Sequence, residues 1–338
     1  MTRGRVLVTG GAGYIGSHTC KALARAGIEP VVYDDLSNGH AEAVRWGPLI
    51  QGDVRDRDRL AGAMSSHAVS GVIHFAGLIE VGRSMHRPDL YWDHNVNGVA
   101  AVLSAMRSAD VGRLIFSSTA AVYGTPAGLS ALSETDVLNP INPYGDSKLA
   151  GEKMIAASCV AFGLEAVALR YFNASGADPE GELGEAHDPE THLIPLAIEA
   201  ALTGSRPLTV FGQDFPTTDG SCVRDYIHVA DLARAHVLAL GLDTISRGFE
   251  AMNLGRGRGT SVLDVIEAVG RACGRPPAYA VGPRRAGDPP ILVADPARAM
   301  KRLNWAPEFA DFQAIVDTAV AWRRSRRFDA STPLPAAA

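Results

Sequence analysis

The stretch Arg5-Val-Leu-Val-Thr-Gly-Gly-Ala-Gly-Tyr-Ile-Gly-Ser-His-Thr19 leaves this chain few options. A short apolar run, Val6 to Val8, breaks into glycines and then into residues that suit a helix. The spacing Gly11-x-Gly13-x-x-Gly16 predicts a strand, a tight turn and a helix whose N-terminus holds a dinucleotide pyrophosphate. Glycine is required by the turn and by the close approach of bare backbone to phosphate. The phosphates would sit on the free N–H groups and positive dipole end of that helix. Gly27 fits the C′ position that ends it. A second apolar run, Pro30-Val-Val-Tyr-Asp34, closes on an acid eighteen residues beyond Gly16, where a carboxylate meets the adenosine ribose hydroxyls of NAD. The same charge repels the 2′-phosphate of NADP, and no arginine directly follows it. The cofactor expected is therefore NAD.

Strands are expected at 5–9, 30–34, 71–75, 113–117 and 165–171, short continuous apolar runs of the kind covered on both faces. Val99, Val102, Leu103 and Met106 recur at a helical spacing, and residues 145–160 suit a helix with Pro143 in its first turn. Alternating strands and helices predict an α/β chain, a doubly wound (Rossmann) parallel sheet with a smaller C-terminal α/β substrate domain. A length of 338 residues exceeds the usual single domain. The expected division is an NAD-binding domain over 1–172, a mainly substrate-binding domain over 173–330 and a disordered tail over 331–338. Residues 173–191, rich in glycine, proline and acids, read as a long loop that is functional or disordered. Beyond it, helices are expected near 193–203, 229–240, 261–272 and 311–323, with a strand at 208–211. Ser261 with Asp264 resembles a capping box, with Asp a weaker partner than Glu.

A net charge of −5 argues against general nucleic-acid binding. No apolar run approaches a membrane span, and no secretory signal pattern opens the chain. Cys20, Cys159, Cys222 and Cys273 are scattered without a CxxC pair, which fits reduced thiols in the cytoplasm and gives a metal site no support.

The second informative stretch is Asn142-Pro-Tyr-Gly-Asp-Ser-Lys148. Tyr144 and Lys148 stand four apart and so share a helix face. Beside a nicotinamide, such a tyrosine can take the proton of a sugar hydroxyl. A free phenol titrates near 10, so a base near neutrality needs a drop of roughly 3 units, about 4 kcal/mol of phenolate stabilisation. A nearby ammonium and the charge of oxidised NAD are the sources available. Chance also places Tyr and Lys four apart on many helices. Ser117, Ser118 and Thr119 leave a strand at the edge that faces the cofactor cleft, where a hydroxyl would shorten the proton's path. A serine/threonine-rich turn is the competing account of these three.

Gly10-x-x-Gly13-x-x-Gly16, His74-Phe-Ala-Gly77, Ser117-Ser-Thr119 and Tyr144-x-x-x-Lys148 together resemble the extended short-chain dehydrogenase/reductase superfamily. Asn95-Val-Asn-Gly98, Arg170-Tyr-Phe-Asn173, Val223-Arg-Asp-Tyr-Ile-His228 and Pro283-Arg-Arg-Ala-Gly-Asp288 narrow the resemblance to the UDP-glucose 4-epimerase family, from Arg5 to about Trp322. The resemblance implies an isomerase with tightly bound NAD that interconverts UDP-glucose and UDP-galactose through a 4-keto sugar. Tyr144 would be the base, Lys148 its electrostatic partner and Thr119 the hydroxyl that bridges to the sugar. Gly10, Gly13, Tyr14, Ile15 and Gly16 would hold the pyrophosphate, Asp34 with Asp35 the adenosine ribose, and Asp53 with Val54 the adenine. Phe75, Ala76, Gly77, Asn95, Ser117 and Tyr171 would line the cofactor cleft. Substrate contacts would fall on Asn173, His192, Leu193, Phe211, Arg224, Tyr226, Arg285, Asp288 and Leu292. Arginine offers planar, permanently charged donors to a diphosphate, although Arg224 beside Asp225 and Arg285 near Asp288 also read as solvated surface pairs. Family members commonly pair through two helices each, so a homodimer through 92–108 and 145–160 is implied.

Three positions depart from the family pattern. Ile79 stands where several members carry a lysine, and His192 replaces a common asparagine. Leu292 occupies a position tied to sugar-pocket width and leaves UDP-N-acetylhexosamines open. Epimerases of UDP-xylose, UDP-arabinose or UDP-glucuronate share these motifs. A sugar-nucleotide dehydratase is disfavoured because Ala120-Ala121, rather than Asp-Glu, follow Thr119. A non-catalytic NAD-sensing protein would not need Tyr144 and Lys148 together.

Overall fold

A computed structural model describes residues 4–325 and Phe328, apart from 127, 129, 205, 206, 244, 246, 247, 286 and 287. The expected tail at 331–338 lies outside the described residues.

In chain order the first half runs β1 (Arg5–Thr9), α1 (Tyr14–Arg25), β2 (Glu29–Asp34), β3 (Leu49–Gln51), α2 (Arg57–Ser66), β4 (Val69–His74), α3 (Val81–His86), α4 (Pro88–Tyr91), α5 (Asn97–Ser108), β5 (Arg113–Thr119), α6 (Pro143–Phe162) and β6 (Glu165–Tyr171). The second half adds β7 (Asn173–Ser175), α7 (Leu193–Thr203), β8 (Leu208–Phe211), β9 (Val223–His228), α8 (Val229–Leu240), β10 (Phe249–Leu254), β11 (Gly259–Ser261), α9 (Val262–Cys273), β12 (Tyr279–Gly282), β13 (Ile291–Leu292), α10 (Ala297–Leu303) and α11 (Phe312–Ser325).

Seven strands pair in the order β10-β6-β5-β4-β1-β2-β3, all parallel. The expected doubly wound sheet is present. Its last strand, β10, comes from the second half of the chain and pairs with β6. Alternate residues of each strand enter opposite layers. Leu7, Val31, Val72 and Leu114 pack with α2, α5 and α6, whereas Val8, Val32, Ile73 and Ile115 pack with α1, α8 and α10. The strand order reverses between β1 and β4, so the binding crevice of such a sheet opens at their carboxyl ends.

A smaller unit gathers β7, β11 and β13 around β9. Helices α7, α9 and α11 cover it through Ile194, Ala197, Val265, Val269, Val316 and Val320. The expected capping box is made in full by Ser261 and Asp264. Residues 173–191 do not hang free. Lys21 of α1, almost fully buried, reaches Asp178, Glu180 and Glu182 at 2.7, 2.9 and 2.7 Å and pins this segment to the first helix. Burial works against that ammonium, but the three carboxylates outweigh it and raise its pKa.

Helix α6 is the element that carries chemistry. Asn142 caps it by accepting the Gly145 N–H at 2.9 Å, Pro143 fills the first turn, and Gly163 ends it in the left-handed conformation. Its Glu152 is buried against Arg170 of β6, with Oε1 accepting from Nε at 2.9 Å and Oε2 from a terminal nitrogen at 2.6 Å. Ser118 donates to the same carboxylate at 2.5 Å, so β5, β6 and α6 share one polar junction. Glu152→Ala leaves the guanidinium buried and unpaired, which costs about 3–5 kcal/mol. Urea denaturation should show a loss of that size; a loss below about 1 kcal/mol, the worth of an exposed pair, would contradict the buried junction.

Candidate active site

The glycine turn sits at the switch point for a steric reason. The O of Thr9 accepts the N–H groups of Phe75 and Ala76 at 2.9 and 3.1 Å, drawing the ends of β1 and β4 together. Gly10 has φ +70°, and a Cβ there would lie 2.6 Å from the Ala76 N. A Cβ on Gly16 would lie 2.1 Å from the Gly10 O. Helix α1 begins after Gly13 with no side-chain cap and no acid in its first turn, so its N–H groups stay available to an anion. Asp34 ends β2 with Oδ2 accepting the Ala12 N–H and Oδ1 the Leu36 N–H, both at 2.9 Å. The acid thus steadies the glycine turn, and each oxygen has a further lone pair for a ribose hydroxyl. A dinucleotide fits this cradle: the bare turn brings the uncapped start of α1 to the crevice, and its edge carries an acid.

The remaining expected cofactor residues divide into two groups. Tyr14 and Ile15 open α1, and the Tyr14 hydroxyl donates to the Gly176 O at 2.6 Å. Asp35 is exposed and accepts from Ser37. Asp53 is held by Arg55, which keeps its carboxyl down at about 2, and Val54 beside it is buried. Phe75 packs its ring 4.7 Å from His236. Asn95 is committed internally: it accepts the Leu78 N–H at 2.8 Å and donates to the Leu78 O and the Ser147 hydroxyl. That clamp fixes Gly77 and Leu78 against α6. Ser117 and Tyr171 are buried and hydrogen-bonded to each other.

Tyr144, Lys148 and Thr119 meet where β5 runs into α6. A Cβ on Gly145 would lie 2.7 Å from the Ala121 O, so only glycine lets the start of α6 rest on the turn after Thr119. This contact brings the Tyr144 phenol to the Thr119 hydroxyl. Burial raises the phenol's pKa, and the Thr119 hydrogen bond opposes it. Lys148 is 3% exposed; its Nζ donates to the Ser117 O at 3.1 Å and stands 5.2 Å over the Phe116 ring. Burial lowers it from 10.5 to about 8. Both shifts favour the neutral forms, so the chain's own charges do not make the phenol a base.

The expected substrate residues gather on the smaller unit. Asn173 of β7 pairs in register with Tyr226 of β9, and burial raises the Tyr226 phenol to about 12. Arg224 donates to the carbonyls of Val223 and Pro289 at 2.9 and 2.8 Å and lies 3.6 Å from Asp288. The surface pairing of Arg224 with Asp225 does not form: Asp225 is fully buried and accepts from the N–H groups of Arg256, Gly257 and Ala294. Arg285 stacks 3.8 Å over the Phe211 ring. Leu193 opens α7, and Leu292 packs on the cluster of Val122, Tyr123 and Leu132. His192 pairs with Glu185 at 2.6 Å. Ile79 is exposed.

Sequence reasoning missed the Glu152–Arg170 junction and its extension, in which Arg170 donates to the Tyr123 hydroxyl at 3.1 Å and that hydroxyl to Asn253 at 2.7 Å. No spacing rule links residues on α6, β6, the turn after β5 and β10. An acid in the middle of a helix that reads as buried was the one available signal.

The model of the NAD dependent epimerase/dehydratase family matches residues 6–255. A UDP-glucose 4-epimerase of Rhizobium meliloti (strain 1021) is 48% identical over 328 residues, 96% of this chain and 99% of that protein. A crystal structure of UDP-glucose 4-epimerase from Brucella ovis in complex with NAD has a TM-score of 0.91 at 52% identity, covering 94% of this chain and 98% of that one. The enzyme from Bifidobacterium longum, crystallised with NAD+ and UDP, has a TM-score of 0.90 at 37% identity over 95% and 98% of the two chains.

Burial of Lys148 carries a pH signature. From about 8 to 10.5 the unfolded chain binds more protons at this site than the folded one, so this term makes stability rise with pH. Below that window the penalty is complete, roughly 3 kcal/mol. In cofactor-free protein, Lys148→Met should raise the melting temperature at pH 7, with the advantage fading as the pH climbs through the window. Equal melting temperatures at pH 7 would mean the ammonium is solvated.

Proposed function

This chain belongs to the NAD dependent epimerase/dehydratase family, and on that premise we propose that it interconverts UDP-glucose and UDP-galactose by inverting C4. The observation that carries the reading is likeness along nearly the whole chain, at 42–48% identity, to curated relatives that bear the name UDP-glucose 4-epimerase.

Bound NAD supplies a redox couple that takes hydrogen from C4 and returns it to the other face, together with a positive ring charge. Gly10, Gly13, Tyr14, Ile15 and Gly16 hold its pyrophosphate, Asp34 and Asp35 its adenosine ribose, and Asp53 and Val54 its adenine. Phe75, Ala76, Gly77, Asn95, Ser117 and Tyr171 shape the cleft. Tyr144 takes the C4 hydroxyl proton on its phenolic oxygen, and the Thr119 hydroxyl beside that phenol relays it. Lys148 holds the phenolate by charge. Asn173, His192, Leu193, Phe211, Tyr226, Asp288 and Leu292 surround the nucleotide and sugar, while Arg224 and Arg285 grip the diphosphate. With UDP anchored, the keto sugar is free to turn over. Residues 1–172 mainly serve the cofactor and 173–330 mainly the substrate.

The reading includes a homodimer through the helices at 92–108 and 145–160. Trp92, Val160 and Phe162 support it, being large apolar side chains exposed to 45%, 85% and 55%. It also includes the cytoplasm, which suits four free thiols; among the described residues no helix is long and apolar enough to cross a membrane.

Incubation of the purified protein with UDP-galactose and no added cofactor should yield UDP-glucose on chromatography, whereas a dehydrated keto sugar would overturn the reading. Parallel reactions with UDP-N-acetylgalactosamine, UDP-xylose and UDP-glucuronate define its scope. Tyr144→Phe should lower kcat at least about 100-fold, the scale of a lost general base, with UDP affinity by calorimetry unchanged.

A further inference from the structure

Among the described residues, one cluster at the edge of the cleft carries metal-ligand chemistry that the proposed reaction does not call on, although it shares His192 with the residues placed around the nucleotide. Glu185, His187, Glu190 and His192 follow one another at spacings of two, three and two on the segment leading into α7. One donor atom of each lies within 4.8 Å of the others. His192 Nδ1 and His187 Nδ1 stand 2.6 and 3.2 Å from the same Glu185 Oε1, and 3.4 and 3.8 Å from the Glu190 carboxylate. Donors bound tetrahedrally at 2.0–2.2 Å sit roughly 3.3 Å apart, so little movement would close this set around zinc.

Three further features favour a cation. His187 Nδ1 is buried without a hydrogen-bond partner although it lies beside Glu185 Oε1. One carboxylate and the backbone of the other ligand are held: Glu190 Oε1 accepts the N–H groups of Thr191 and His192 at 2.7 and 2.8 Å, and the main-chain carbonyl of Glu185 accepts from Trp322 at 2.9 Å. Such outer contacts orient metal ligands. The other acidic group, Asp178, Glu180 and Glu182, already has Lys21 at its centre. Here two imidazoles stand where that lysine would, and imidazole nitrogen is a metal ligand. Two nitrogens with two carboxylates suit Zn2+ better than Mg2+ or Ca2+, which prefer oxygen.

We propose that Glu185, His187, Glu190 and His192 bind a Zn2+ ion that ties the 176–192 segment to the start of α7. This runs against the expectation from cysteine spacing, because the ligands are histidine and glutamate. The Tyr14 ring stands edge-on, 6.2 Å from His187, and Leu193 follows His192 directly, so the ion would lie between the glycine turn and α7.

The test uses tag-free holoenzyme equilibrated with zinc sulfate, passed through gel filtration and assayed by elemental mass spectrometry. The wild type should retain about one zinc per chain, and His187→Gln and His192→Ala should each weaken binding at least about tenfold, the least that losing even an outer contact costs. Co2+ in place of Zn2+ should give the visible bands of a tetrahedral site in the wild type and lose them in His187→Gln. Circular dichroism checks folding; if His192→Ala does not fold, His187→Gln decides. A wild type that retains no zinc overturns the proposal, as does equal retention by wild type and His187→Gln, which would put the ion elsewhere.

Discussion

The contact on which the rest of the molecule depends is backbone against backbone, where the Gly10–Gly16 turn meets the end of β4. A side chain at Gly10 would strike the Ala76 N, and one at Gly16 the Gly10 O. Only a chain bare at both positions lets α1 start this close to the sheet while β1 and β4 stay in register. Once the turn closes, Thr9 can bond Phe75 and Ala76, and Asp34 can reach the Ala12 N–H. The crevice, its anion-binding helix end and its acidic edge follow from one steric requirement. Tyr14, carried by the same turn, then bonds Gly176 and connects this corner to the second half of the chain.

Burial decides the chemistry as much as it decides the fold. The core that stabilises β5 and α6 also strips water from Tyr144 and Lys148, and each is pushed toward its neutral form. The protein bears that cost through contacts made elsewhere, among them the Glu152–Arg170 pair and its bonds to Ser118 and Tyr123. A phenol in this setting waits for charge. On the proposed reading Lys148, fixed by its bond to the Ser117 carbonyl, would provide some of it. On that reading, the cationic ring of the bound cofactor would provide the rest.

Much of this was readable from the sequence. The glycine fingerprint placed β1, α1 and β2, and the apolar runs placed β4, β5 and β6, because a doubly covered parallel strand must be apolar throughout. Pro143 and the Ser261–Asp264 pair marked helix starts because capping is local chemistry. What stayed hidden depends on distant partners. Strand β10 joins β6 from more than seventy residues away, and β7, β11 and β13 are two or three residues long, too short for a periodicity to register. The 173–191 segment reads as a long loop, functional or disordered, because its sequence carries no periodicity; Lys21, buried in α1, orders its acids. The Tyr144 and Lys148 positions were legible, whereas the direction of their pKa shifts was not, since burial is a property of the packed molecule.

The arginines show how packing changes the meaning of a local pattern. In the sequence, Arg224 beside Asp225 is an ordinary surface pair, and its charge would be cancelled. In the fold, successive β-strand residues point to opposite faces, so Asp225 turns inward to satisfy three backbone N–H groups. Arg224 on the other face is held by two carbonyls that orient its guanidinium, with the Asp288 carboxylate 3.6 Å away. Arg285 rests on the Phe211 ring, again restrained by a partner without formal charge. Restraint by neutral groups leaves a charge its attraction for an anion and meets part of its ordering cost before the ligand arrives, as at Arg285; at Arg224 the Asp288 carboxylate competes for that charge. Asp225 spent on backbone, with the arginines braced by carbonyl and ring, suits the proposed grip on a nucleotide diphosphate.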